Sequence, residues 1–110
     1  MTKFGEWQYP ITGIRRKIFP PGQNMMSMMI ELEKEAVGPA HSHPHEQLTF
    51  VISGKLEVTL EEQVHVVAAG EQLHIPGDVV HTVKALEDSA ILETFTPLRE
   101  DLLATITDSQ

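Results

Sequence analysis

At 110 residues the chain is long enough for one domain with its own core, and cysteine is absent, so no disulfide contributes. A net charge of −8 argues against nucleic acid as partner, because binding phosphates requires a basic surface. No stretch approaches the roughly 20 apolar residues of a membrane helix and the N-terminus lacks a leader-like apolar run, so a cytoplasmic location is expected. Residues 1–110 show no repeat, linker or low-complexity tract and are read as a single domain.

Residues 1–13 are expected to be an irregular lead-in, with Trp7 and Tyr9 packed on the barrel surface or on a neighbouring subunit. Ile14 to Phe19 is a short strand ended by Pro20-Pro21-Gly22, and its basic triplet Arg15-Arg16-Lys17 reads as a solvated face that could also attract a carboxylate. Asn24 to Lys34 is predicted as a strand. Met28, Ile30 and Leu32 share one parity there and Glu31 and Glu33 the other. The methionines at 25, 26, 28 and 29 are core or interface filler.

Between Gly38 and Gly54 the chain reads GPAHSHPHEQLTFVISG. His41, His43, His45 and Gln47 recur at every second position, and in extended backbone such residues point to one side. Pro44 argues against a helix. Gln47 to Ser53 is the following strand, with Gln47, Thr49, Val51 and Ser53 on its more polar face, which continues the ligand side. Lys55 to Leu60 and Gln63 to Ala68 form a hairpin around Glu61-Glu62. Gln72 to Ile75 is a short strand. Val79 to Lys84 carries His81 after the Pro76-Gly77-Asp78 turn. Two separated histidine segments that can converge on one ion are what a strand-built metal site needs. His65 and His74 read as surface or hydrogen-bonding residues.

Ser89 to Thr96 is the last strand, stopped by Pro97. Leu98 to Thr105 is expected to form a terminal helical turn. Ile91, Glu93 and Phe95 share a face. A carboxylate on an apolar, barrel-lining face is costly unless it has a partner or a task. The alternative is that Glu93 faces solvent and Arg99 pairs with Glu100 or Asp101 on the surface. Short strands with glycine and proline turns and little helix imply an antiparallel sandwich or barrel.

These segments resemble the cupin superfamily. Its first motif reads G-x5-H-x-H-x3,4-E-x6-G and its second G-x5-P-x-G-x2-H-x3-N. His41, His43 and Gly54 fit the first, with Gly38 one position close and Gln47 in place of the glutamate. Gly70, Pro76 and His81 fit the second, with Asp78 and Ala85 replacing its second glycine and its asparagine. The resemblance implies an all-β cupin jelly roll of about eight strands. It implies a divalent metal (Zn, Ni, Mn or Fe) on His41, His43, Gln47 and His81. His45 is the runner-up ligand, read first as a rim residue. A neutral amide in place of a carboxylate leaves more of the ion's charge uncompensated. That favours a Lewis acid for an anionic substrate.

Within the superfamily, HSHPHEQ, SGKLEVTL and VKALEDSAILETFTPLRED are most similar to the small dimeric cupins of pectin degradation. This implies a homodimer that converts 4-deoxy-4,5-unsaturated uronates from pectin or alginate breakdown to linear keto sugars. It implies catalytic roles for Glu93, Arg99 and Phe95: Glu93 as acid/base, where relatives carry aspartate, Arg99 on the uronate carboxylate and Phe95 shaping the pocket. The alternatives are a metal-dependent cupin dioxygenase and a non-enzymatic sugar-binding cupin.

Overall fold

Alternation of apolar and polar residues is realised as strand over most of the chain. In the computed structural model, residues 2–107 are described. The strands are β1 (Trp7–Ile11), β2 (Ile14–Ile18), β3 (Met26–Leu32), β4 (Val37–His41), β5 (Glu46–Ser53), β6 (Lys55–Leu60), β7 (Gln63–Ala68), β8 (Gln72–Ile75), β9 (His81–Ala85) and β10 (Ser89–Thr96). One helical turn, α1 (Glu100–Leu103), follows. A six-stranded sheet in the order β1-β2-β3-β10-β5-β8 faces a four-stranded sheet in the order β4-β9-β6-β7. Every pairing within the two sheets is antiparallel. This is the expected jelly roll.

Part of the lead-in expected to be irregular is a strand. Trp7–Ile11 pairs with β2 and forms the outer edge of the larger sheet. Pro10 lies within this strand, and at an edge its missing N–H interrupts no ladder. Trp7 lies on the sheet's outer face, with the Arg15 guanidinium 3.9 Å and the Lys17 ammonium 4.2 Å from its ring centroid. The strand read from Asn24 to Lys34 is trimmed to Met26–Leu32, and the one read from Val79 starts at His81.

Inward residues of the two sheets form two apolar clusters. Leu32, Val51, Leu56, Val58, Ile75 and Ile91 belong to one. Ile18, Met26, Met28, Phe95 and Leu102 form the other, which α1 helps to close. The inward side of β10 runs from Ile91 in the first cluster, through Glu93, to Phe95 in the second. Neighbouring β5 continues the first cluster through Val51 and then turns polar, with Thr49 and Gln47 buried. A polar layer is thus held between two apolar plugs.

The β5–β6 corner depends on Gly54. Its φ is +89°, and a Cβ there would collide with Ser89 Oγ and the Asp88 carbonyl oxygen. Gly54→Ala therefore combines a strained left-handed backbone with overpacking. A loss of about 2 kcal/mol or more is expected, seen as a fall of roughly 10 °C in the thermal unfolding midpoint.

Candidate metal centre and active site

His41 closes β4 and His81 opens β9, and the two residues are direct cross-strand partners. Their ring centroids are 4.2 Å apart. His43 follows in the β4–β5 loop, its ring 5.7 Å from that of His41 and 5.2 Å from that of His81. The loop is clasped by the second-motif turn. The Asp78 N–H donates to the His43 carbonyl at 2.7 Å, and Gly77 lies so close to the Pro44 carbonyl oxygen that no side chain would fit. Asp78, which stands where the motif has glycine, has a left-handed φ of 66°. Aspartate tolerates that region better than most residues.

The protons on these rings can be assigned by elimination. The Nδ1 atoms of His41, His43 and His81 lie 3.0, 3.1 and 2.9 Å from the carbonyl oxygens of Pro39, His45 and Val79. A carbonyl only accepts, so each Nδ1 carries the hydrogen. Burial, reinforced by the Arg99 charge, holds His43 below the usual histidine pKa. Burial is also the main cause for His81. A ring that carries its single hydrogen on Nδ1 presents a bare Nε2 lone pair, and all three rings are oriented to do so. One ring nitrogen from each histidine lies within 4.8 Å of the others, and His81 Nε2 is buried without a hydrogen-bond partner among the described residues.

Gln47 completes the pattern. Its Oε1 lies 3.0 Å from His43 Nε2, an acceptor facing an acceptor. Its amide nitrogen donates to Glu93 Oε2 at 2.5 Å and to Thr49 Oγ1 at 3.0 Å, which turns the oxygen toward the histidines. Converging lone pairs with no hydrogen between them fit a divalent cation, and imidazole and amide donors suit zinc, nickel, manganese or iron. His45 does not join the group. Its Nε2 lies 3.1 Å from the Leu98 carbonyl oxygen, so it tethers the loop to the segment after β10.

Glu93 points inward and is 6% exposed. Burial pushes its carboxyl up to about 7, against the opposing pull of the Thr49 hydroxyl, the Arg99 charge and the Gln47 amide. Arg99 is also buried, and its guanidinium stacks 4.8 Å above the Phe95 ring centroid. It does pair with Asp101, through Nε at 3.0 Å and Nη2 at 2.8 Å, reaching from inside the fold to a carboxylate that is itself exposed. A cavity of about 300 Å³ brings His41, His81, Gln47, Glu93 and Arg99 to one space. Phe95 does not line that cavity. It is fully buried behind it, 5.8 Å from the His43 ring.

Two placements differ from the sequence reading. Arg16, taken as part of a solvated face, lines the same cavity. The signal was available in the alternation of β2, where Ile14, Arg16 and Ile18 share the inward side. His65 faces inward beside Val58 and its Nε2 is buried without a partner among the described residues, whereas His74 is exposed and bonded to Glu46 at 2.7 Å.

The fold and this donor arrangement define the class: residues 28–95 match the cupin domain family, and the chain belongs to it. It is 31% identical over 99 residues to the pectin degradation protein KdgF of Dickeya dadantii (strain 3937), a match covering 88% of this chain and 90% of the relative. The structure of KdgF from Halomonas sp. superposes with a TM-score of 0.84 at 31% identity, covering 93% of this chain and 98% of that one. An RmlC-like cupin from Shewanella frigidimarina NCIMB 400 gives 0.83 at 28% identity, covering 92% and 94%.

A pH signature follows for chelator-treated protein. The folded pKa of Glu93 is about 7 against an ordinary 4.5, so the native state binds more protons between these values. The contribution of Glu93 to stability therefore falls as pH rises from about 4.5 to 7 and stays low above that. His43 and His81, with lowered values, act in the opposite direction, so the readout is the difference between wild type and Glu93→Gln. Denaturant titrations should show the variant gaining stability relative to wild type across that window, with no relative change below it.

Proposed function

We propose that this cupin acts in pectin or alginate breakdown, converting 4-deoxy-4,5-unsaturated uronates to linear keto sugars. The observation that carries the reading is the buried Glu93 carboxyl, linked through Gln47 to the histidine cluster and sharing a cavity with Arg99. The likeness to two KdgF proteins over nearly the whole chain supports it. A divalent ion held by His41, His43, Gln47 and His81 would supply Lewis-acid polarisation of a sugar oxygen.

The remaining chemistry belongs to the chain's own groups. Glu93 has a pKa near neutrality, which suits a residue that both takes and returns a proton. It removes the proton of the anomeric hydroxyl as the bond from C1 to the ring oxygen breaks, leaving an aldehyde at C1 and an enolate at C5. It then delivers that same proton to C4 as the enolate becomes a ketone. The sum is an isomerisation that consumes no water and moves no electrons to an acceptor. Arg99 holds the uronate carboxylate with the guanidinium N–H groups that Asp101 leaves free. Phe95 acts as a positioning residue beneath Arg99 and beside His43. A homodimer is part of this reading. Its support is an apolar stripe on the outer face of the larger sheet, where Phe50, Leu92 and Met29 are successive cross-strand neighbours and Ile52 is exposed.

The test follows the loss of the unsaturated uronate's ultraviolet absorbance above its spontaneous rate. Glu93→Gln should lower kcat by roughly 10²- to 10⁴-fold, the usual contribution of a positioned acid/base. Chelation should abolish turnover and a divalent ion restore it, under argon as well as in air. Unchanged kcat in the Glu93 variant would reject the assigned chemistry.

A further inference from the structure

The three consecutive cations of β2 have different surroundings. Arg15 and Lys17 point outward. Arg15 bonds to Glu31 at 2.8 Å through Nε, and both flank Trp7. Arg16 points inward, opposite Ile30 on β3 and Gln8 on β1, and is half-buried. Its Nε donates to Gln8 Oε1 at 2.8 Å. Gln8 is itself fixed, its amide nitrogen bonded to the Thr2 and Thr105 hydroxyls at 2.6 and 2.9 Å. Neither Nη of Arg16 has a hydrogen-bond partner, and no carboxylate lies within 4.0 Å of it, among the described residues.

The two guanidiniums of the cavity are therefore unequal. Arg99 uses Nε and one Nη on Asp101. Arg16 uses only Nε and keeps its terminal pair of Nη groups, the end-on fork that matches a carboxylate. Its charge is disfavoured by burial first and by Arg99 second, with only Asp101 opposing. Arg99 is charge-paired and Arg16 is not, and an unpaired cation beside a second one in an apolar-walled space is costly unless an anion joins them.

We propose that Arg16 is a second substrate-binding residue, gripping the uronate carboxylate end-on beside Arg99 and selecting anionic over neutral sugars. This rests on the uronate reading above. The long-range field of a chain with net charge −8 repels such a substrate, so recognition must come from local cations held in place in advance. Gln8 provides that fixing. It acts on the substrate only through Arg16.

The experiment measures KM and kcat on the unsaturated uronate. It also measures calorimetric binding of two unreactive probes, galacturonate and galactose, by the metal-loaded protein. Arg16→Gln should raise KM roughly 10- to 100-fold with kcat nearly unchanged, as loss of uniform binding requires. It should weaken galacturonate by a similar factor and leave galactose unaffected. Arg16→Lys, which keeps the charge and loses the fork, should fall between. Gln8→Leu, which leaves Arg16 in place but unfixed, should show a smaller rise in KM; these two variants carry the test if Arg16→Gln does not fold. Turnover with wild-type KM and galacturonate affinity in the Arg16 variants would overturn the inference and leave the uronate reading standing. Arg16-dependent galacturonate binding without any turnover by wild type would sink the reaction and keep Arg16. Equal affinity for both probes in wild type would overturn the selectivity assigned to the residue.

Discussion

Three imidazole lone pairs and an amide oxygen face one another with no hydrogen among them, and much of the surrounding structure serves to keep them so. Each ring is fixed by a backbone carbonyl two residues away, which sets the tautomer and the ring plane together. The cross-strand pairing of His41 with His81 brings two of the rings together, and the second-motif turn holds the loop that carries the third. Left alone, such an arrangement is repulsive. A cation placed there would convert the repulsion to attraction, and its affinity would be coupled to folding through the same few hydrogen bonds.

The polar layer has a consequence for the rest of the fold. Glu93, Thr49 and Gln47 occupy positions where aliphatic residues would complete one continuous core. Their mutual hydrogen bonds satisfy the buried groups but contribute less than apolar packing would. Stability then rests on the two flanking plugs. α1 matters here out of proportion to its four residues, because Leu102 helps to close the plug that backs Phe95 and Arg99.

Apart from β4, which the sequence reading did not set out as a strand, the strands from Ile14 onward were legible in the sequence because period-2 alternation and turn residues coincide there, and Ser89–Thr96 begins and ends where its pattern does. β1 was not legible, since a proline within it argues against pairing unless the strand is known to lie at an edge. The histidine cluster could be read from spacing, and the inward face of β10 from Ile91 and Phe95 on either side of Glu93. Arg16 was obscured by its neighbours. A run of three cations looks like a solvated patch, and only the phase of the flanking isoleucines shows that the middle one turns in. Phe95 was assigned to the pocket by the family resemblance, and its parity with Glu93 gives it the same face but not the depth at which it sits. The pairing of Arg99 with Asp101, which the sequence offered only as the alternative to a functional arginine, does occur, but a buried Arg99 makes it by reaching out to an exposed carboxylate.

Trp7 and Gln8 are neighbours on the edge strand and point in opposite directions, one to the sheet's outer face and the other toward Arg16. The chain has one tryptophan, and its indole is flanked by two cations that hold their places only while β1 and β2 remain paired. The molecule thus carries an intrinsic optical reporter at the far side of its cavity wall. Fluorescence from that single ring follows the docking of the ribbon that steadies Arg16, without a label and without touching the pocket.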